Sequence, residues 1–123
     1  MVPNLSRRSA PQGRLGADGG ISETRRVIDL AQAFNVPSTI HDCTGPLTLF
    51  SGLHLAAAST NVVFQESVRA HIRSFYEKLV TTLPVIEQGR AQLPGGTGLG
   101  TRLKDELFAE GVNASRRSGA GER

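Results

Sequence analysis

The sequence predicts an α/β fold with parallel strands, and three features of its pattern lead to that prediction. Three segments carry apolar side chains at helical spacing, two short β-tolerant or apolar runs separate them, and the connections are short. The resulting order of helix, strand, helix, strand, helix is typical of a parallel sheet covered by helices. Two strands cannot complete such a sheet, because a buried parallel strand needs a neighbour at each edge. We therefore expect the chain to be a piece of a larger α/β structure.

The first predicted helix begins near Ser22, a residue type that often caps a first turn. It ends at residues 35–37, with the sequence NVP, and residues 37–41 form a short β-tolerant strand. Apolar side chains at positions i, i+3, i+4 and i+7 predict the buried stripe of this first helix, which consists of Val27, Leu30, Ala31 and Phe34.

The second and third predicted helices flank another strand. Pro46 is expected in the first turn of the second helix, where proline is favoured, and residues 62–64 have the unbroken apolar pattern of a strand buried on both faces. A small ribbon is expected near residues 85–93. The predicted core positions of the two helices are Leu47, Phe50, Leu53 and Ala57, and then Val68, Ile72, Phe75, Tyr76, Leu79 and Leu83 before Pro84.

Composition disfavours several classes of function. Fourteen Lys and Arg against eleven Asp and Glu give a net charge of +3, a weak basic bias that lacks the interleaved aromatics of a nucleic-acid binder. No apolar run approaches the roughly 20 residues of a membrane span, and residues 1–20 lack the apolar segment of a secretory signal. The single cysteine cannot form an intrachain disulfide. We expect a cytoplasmic protein with no membrane partner.

Both ends of the chain are predicted to be disordered. Residues 1–18 are rich in glycine, proline and arginine without helical or strand periodicity, and residues 114–123 have a similar composition. One ordered unit, residues 19–113, is expected between them.

Four segments of the chain are distinctive: GGISETRRVIDLAQAFNVP (19–37), HDCTGP (41–46), NVVFQES (61–67) and LPGGTGLGTRL (93–103). Together they resemble the carboxyl-terminal stretch of the mandelate racemase and muconate lactonizing enzyme family of the enolase superfamily, closest to its sugar-acid dehydratases of the galactonate type. The resemblance implies a truncated (β/α)₈-type barrel, from the helix after strand six through strands seven and eight to the closing tail. Residues 1–18 do not match the family's sixth strand and are predicted to be unrelated sequence.

The resemblance implies catalytic roles for His41 and Glu66, which follow the two predicted strands. The carboxyl ends of barrel strands meet at one mouth, so both side chains should face one site. In the family the matching His is a general base that removes the proton beside a carboxylate, and the matching Glu hydrogen-bonds the substrate carboxylate as an electrophile. The family's Mg²⁺ is held by carboxylates on strands outside this stretch, so we expect none to bind this chain. Arg14 stands where the family has an acidic residue that orients the His.

The resemblance therefore implies a fragment of a Mg²⁺-dependent acid-sugar dehydratase or racemase that is inactive alone. The sugar acid, and the choice between dehydration and epimerisation, stay open. An alternative is a non-catalytic interaction fragment that self-associates as a homo-oligomer, or pairs with a complementary chain, through exposed barrel edges. A third interpretation is a small basic binder that uses its arginine-rich ends.

Other candidate residues have simpler interpretations. His54 and His71 lie on predicted helices and are interpreted as packing or surface residues. Cys43 is disfavoured as a nucleophile, because no third group that would orient His41 is evident in the sequence. Residues 41–43 are disfavoured as a metal site, since three adjacent side chains rarely converge on one ion. The GGTGLG segment at residues 95–100 is predicted to be a glycine-rich closing turn rather than a phosphate loop.

Overall fold

The computed structural model of the chain describes residues 12–13 and 19–109. The predicted alternation of helices and parallel strands is confirmed. Among the described residues, no helix has the length and apolar character needed to cross a bilayer. The elements in chain order are β1 (Gln12–Gly13), α1 (Ile21–Ala33), β2 (Ser38–Ile40), α2 (Pro46–Ala57), β3 (Val62–Gln65), α3 (Arg69–His71), a π-helical turn (Ile72–Tyr76), α4 (Glu77–Leu79), β4 (Ile86–Glu87), β5 (Arg90–Ala91) and a 3₁₀ helix (Asp105–Phe108).

The first three strands form a parallel sheet in the order β1-β2-β3. The central strand β2 is buried at every position. It pairs with β3 so that Ser38 lies opposite Val62 and Ile40 lies opposite Gln65, with one irregularity after Ser38. Because the strands are parallel, β2 and β3 end at the same edge of the sheet. The residues that follow these two strands are therefore neighbours in space.

Strand β1 falls within the amino-terminal segment that was predicted to be disordered. At residues 12–13 the structure differs from that prediction, since Gln12 and Gly13 pair with Thr39 and Ile40. Gln and Gly are not residue types that favour strands, but strand pairing uses backbone N–H and C=O groups that every non-proline residue has. The rest of the predicted disordered ends, residues 1–11, 14–18 and 114–123, lies outside the described residues.

Helix α1 begins earlier than predicted, and its buried face shares only Ala31 with the predicted stripe. Its N-cap is Gly20, so Ser22 lies inside the first turn. Leu30 and Phe34, which were predicted to be core residues, are 63% and 69% exposed. Apolar side chains lie on more than one face of this helix, so spacing alone cannot identify the face that packs. The buried residues are Thr24, Ile28 and Ala31.

The apolar run in β3 is not buried on both faces as predicted. Val63 and Phe64 are 60% and 55% exposed. Within the described residues β3 pairs with β2 alone, so its outer edge has no strand beside it. The sequence pattern is that of an interior strand, whereas the described residues supply a neighbour on one side only.

A small core and one polar side chain hold the sheet to its helices. Ile28 of α1, Ile40 of β2 and Leu55 of α2 form the centre of this core. The Asn61 side-chain amide, just before β3, donates to the carbonyl oxygens of Ile28 and Val36 at 3.0 and 3.4 Å. These bonds tie the middle of α1 and the segment that leads into β2 to the start of β3. The predicted start of α2 at Pro46 is confirmed.

The third predicted helix is interrupted by a π-helical turn. It begins at Arg69, passes through the turn Ile72–Tyr76 and ends at Leu79. Tyr76 is fully buried, whereas the adjacent Phe75 is 48% exposed. A π turn contains one residue more than an α turn, so it changes which side chains face the sheet. The predicted ribbon is confirmed, with β4 and β5 paired antiparallel.

Truncation of a core side chain tests this packing. We expect Phe50→Ala to lower the free energy of unfolding by about 3–5 kcal/mol, because Phe50 is completely buried and its removal leaves a cavity. Phe34→Ala removes the same atoms from an exposed side chain and should change that free energy by about 0.5 kcal/mol or less. Urea unfolding followed by circular dichroism measures both, and equal losses would contradict this description of the core.

Candidate active site

The candidate active site lies where β2 and β3 end. His41 follows the last residue of β2, and Glu66 follows the last residue of β3. The Glu66 backbone N–H donates to the Ile40 carbonyl at 2.7 Å, which extends the strand pairing beyond β3. The side chains of His41 and Glu66 meet there, with 2.6 Å between imidazole Nδ1 and carboxylate Oε2. The two residues are thus adjacent at one mouth, as the strand positions predicted.

The imidazole of His41 is held between two side chains. Its Nδ1 faces the Glu66 carboxylate, and its Nε2 lies 3.0 Å from the Cys43 sulfur. Donation from Nδ1–H to the carboxylate leaves Nε2 as the basic nitrogen of the neutral ring, and we assign the tautomer from this partner. His41 is 27% and Glu66 39% exposed, and Cys43 is exposed. Glu66, His41 and Cys43 therefore form a row of three functional groups that is open to solvent.

Sequence reasoning missed the contact between His41 and Cys43. The thiol was disfavoured because no orienting third group was evident, but Glu66 supplies that group from 25 positions along the chain. The alternation of side chains along an extended segment could have indicated this contact. Side chains two positions apart in an extended segment point to the same side, so His41 and Cys43 share one side and Asp42 points to the other.

Asp42 anchors the turn that carries these groups. Its carboxylate is buried and accepts hydrogen bonds from the Tyr76 hydroxyl, at 3.2 and 3.0 Å to its two oxygens. The backbone N–H groups of Thr44 and Gly45 also donate to it. Sequence reasoning assigned no role to Asp42 and placed Tyr76 in an apolar stripe. The hydrogen bonds from Tyr76 hold Asp42 in place, and Asp42 is the residue between His41 and Cys43.

Burial sets the protonation of this pair. It raises the pKa of the Asp42 carboxyl above its ordinary value, against the opposing effect of the hydrogen bonds and of the nearby His41. Burial, followed by the charge of Asp42, also raises the pKa of the Tyr76 hydroxyl. Tyr76 therefore keeps its proton at neutral pH and remains a donor to the carboxylate.

The other two histidines lie outside this site. The Nε2 of His54, on α2, is 3.1 Å from the Leu99 carbonyl oxygen, which ties the glycine-rich segment to that helix. His71 packs near the Tyr76 ring, with 6.1 Å between ring centroids. Gly96, Gly98 and Gly100 have positive φ angles, so this segment follows the tight path expected of a closing turn. Within residues 12–13 and 19–109, no group of three or more His, Cys, Asp or Glu side chains could hold a metal ion.

A family model described as "Enolase C-terminal domain-like" matches residues 9–107, and so begins ahead of residue 19, where the resemblance was predicted to start. An enolase of the mandelate racemase subgroup from Agrobacterium tumefaciens superposes with a TM-score of 0.75 at 36% identity, covering 81% of this chain and 27% of that chain. An enolase protein from environmental sequencing of the Sargasso Sea has a TM-score of 0.67 at 42% identity, covering 76% of this chain and 25% of that chain.

Two curated proteins are similar in sequence. The D-xylonate dehydratase of Haloferax volcanii is 31% identical over 85 residues, which are 69% of this chain and 20% of that protein. The arabinonate dehydratase of Saccharolobus solfataricus is 28% identical over 92 residues, which are 75% of this chain and 24% of that protein. The chain thus spans about a fifth to a quarter of the length of the curated relatives it matches.

The raised pKa of Asp42 predicts a specific pH dependence of stability. Between the ordinary value of 3.8 and the raised value, the folded chain binds more protons than the unfolded chain, so the contribution of Asp42 to stability falls as pH rises. Asp42→Asn removes this titration. We therefore expect the free energy of unfolding of Asp42→Asn, relative to that of the wild type, to increase as the pH rises above the ordinary value of 3.8.

Urea unfolding at a series of pH values measures this difference. Asp29→Asn removes a half-exposed carboxylate from α1 and serves as the control for the loss of one negative charge. A relative stability of Asp42→Asn that stays constant or falls with rising pH would contradict a raised pKa.

Proposed function

Because this chain belongs to the enolase C-terminal domain-like family, we propose that it is the carboxyl-terminal part of a Mg²⁺-dependent acid-sugar dehydratase or racemase. Its fold is that of a segment of the family's (β/α)₈-type barrel, as the sequence predicted. The two similar curated proteins are sugar-acid dehydratases, which supports a sugar acid as the substrate. The proposed chemistry is removal of a proton beside a carboxylate. A cytoplasmic location stays a prediction.

His41 is the proposed general base. Its Nδ1–H donates to Glu66 across 2.6 Å, and Nε2 is then the atom that accepts the substrate proton. As the ring becomes positively charged, the Glu66 oxygen that accepts from Nδ1–H stabilises it. This pairing at the ends of adjacent strands is the single observation that supports the proposal most directly.

Glu66 is the proposed electrophile that hydrogen-bonds the substrate carboxylate. A carboxyl group needs a proton to donate to another carboxylate, whereas the bond from His41 needs an acceptor oxygen. The two oxygens of Glu66 allow both contacts, one accepting from Nδ1 and the other donating to the substrate. Glu66 would then orient the base and bind the acid, a combination that suits the predicted placement of Arg14 at the family's acidic position.

The described residues do not fit a Mg²⁺ site. Mg²⁺ takes oxygen ligands in octahedral geometry, and within the described part of the chain no suitable group of side chains converges. Ligands for Mg²⁺ in a complete enzyme would come from another part of the protein. We therefore propose that this chain alone does not turn over a sugar acid.

A graft into a relative tests the roles of His41 and Glu66. Residues 19–109 replace the matching segment of the Haloferax volcanii D-xylonate dehydratase, and we expect the chimera to dehydrate D-xylonate with Mg²⁺. His41→Gln should lower kcat by about 10²–10⁴-fold, the usual loss for a missing general base, and Glu66→Gln should lower it as well.

His54→Gln is the matched control, because its amide can still donate to the Leu99 carbonyl oxygen, and it should retain the activity of the chimera. Full activity in the His41→Gln chimera, or a folded chimera with no activity, would contradict the assignment. Exchange of the substrate α-proton for deuterium by the isolated chain would contradict its inactivity alone.

The exposed strand β3 supports a second candidate function, a non-catalytic fragment that self-associates. The side chains of Val63 and Phe64 are more than half exposed, and an uncovered apolar edge strand is a template for pairing with another chain. A groove of about 360 Å³ beside this strand adds apolar surface. Its lining includes Leu49, Leu53, Val63, Phe64, Ile86 and Leu93.

Sedimentation over a range of protein concentrations tests this alternative. Self-association through β3 predicts a mass that rises with concentration and falls towards the monomer in Phe64→Lys, because a charged edge opposes pairing. Phe34→Lys places the same charge on the exposed face of α1 and should not change the mass. A monomer at every concentration would exclude the alternative.

A further inference from the structure

Cys43 occupies a place that neither proposed function uses. Its sulfur lies 3.0 Å from Nε2 of His41, the nitrogen that the proposed base would turn towards a substrate. The Glu66 carboxylate holds the opposite ring nitrogen at 2.6 Å. A nucleophile next to a base, with the base oriented by a third group, is the arrangement that activates catalytic thiols.

The geometry lets the ring accept the thiol proton as the sulfur attacks a reagent. With Nδ1–H donating to Glu66, Nε2 carries no proton and its lone pair can accept a hydrogen bond from the thiol S–H. The resulting imidazolium lies between a thiolate and a carboxylate, so a negative group faces each of its N–H bonds. The thiol is also exposed, which leaves the sulfur accessible to a reagent from solution.

The same arrangement argues against a metal ligand set. His41 contacts Glu66 and Cys43 through opposite ring nitrogens, so the three side chains cannot converge on one ion. The chain has one cysteine in total, so its thiol cannot form an intrachain disulfide. A mixed disulfide with a small molecule is the thiol–disulfide product that a single chain can form.

We propose that Cys43 is an activated thiol and a site of exchange with low-molecular-weight disulfides. His41 takes the thiol proton, and the sulfur attacks one sulfur of the reagent. The reagent S–S bond breaks as the new S–S bond to Cys43 forms, and the departing thiolate receives the proton from the imidazolium. One disulfide and one thiol are consumed and one of each is produced. The site uses residues of this chain only, so it does not depend on the proposed dehydratase or racemase function.

The test is the rate of reaction of the purified full chain with dithiodipyridine, a small neutral disulfide whose released thiopyridone absorbs light. We expect the folded chain to react at least about tenfold faster at pH 7 than a synthetic peptide of residues 41–46, which has the same His and Cys but lacks Glu66 and the fold. Dithiothreitol should restore the original mass. A rate equal to or below that of the peptide would overturn the proposal.

Variants locate the cause of the acceleration. His41→Gln should remove most of it and Glu66→Gln part of it, whereas His54→Gln should leave the rate unchanged. A rate that is insensitive to His41→Gln would overturn the proposal. Circular dichroism identifies any variant that fails to fold, and the comparison of the wild-type chain with the peptide stands without variants.

Discussion

The parallel register between β2 and β3 determines where the functional groups of this chain lie. Ile40 is fully buried in the core, and its carbonyl oxygen accepts the Glu66 N–H at 2.7 Å. His41 follows immediately, so the imidazole and the carboxylate meet beside that hydrogen bond. A slip of one residue would turn every side chain of one strand to the opposite face. The pair at the mouth therefore depends on the same apolar contacts that hold the sheet together.

In the turn after β2, successive side chains point to opposite sides and have different roles. His41 and Cys43 point to the open side, whereas Asp42 points inwards and is held by the buried Tyr76 hydroxyl. The buried carboxylate carries a cost, since burial raises its pKa. Hydrogen bonds from Tyr76 and from the backbone of the turn offset that cost only in part, because the pKa stays raised. The outcome is an exposed reactive pair on a segment whose middle residue cannot easily move.

Much of this arrangement could be predicted from sequence because it depends on local signals. Pro46 marks the start of α2, and the strand-end positions of His41 and Glu66 follow from the alternation of helix and strand. The exposed face of α1 and the exposure of Phe64 in β3 could not be predicted in this way. Apolar spacing shows that a face can be buried but does not show which neighbour covers it.

Other features depend on contacts that sequence spacing does not reveal. β1 forms through backbone pairing with β2, without any apolar pattern of its own. The bond between Asp42 and Tyr76 joins residues 34 positions apart, and the row from Glu66 to Cys43 depends on a strand pairing rather than on a motif. Long-range polar contacts of this kind are specified by the three-dimensional fold. The sequence therefore shows which polar side chains are present, but it does not show which of them contact each other.

The π-helical turn at Ile72–Tyr76 has a consequence for how this segment can vary. Successive residues of an α-helix are rotated by about 100° around its axis, and the wider turn places the Tyr76 hydroxyl against Asp42. Deleting one residue from the turn would restore regular helical winding and rotate the phenol away from the carboxylate. An insertion or a deletion in this π-helical turn would therefore alter the geometry of a turn more than thirty positions earlier in the chain. A sequence alignment of the helical segment alone would not reveal that effect.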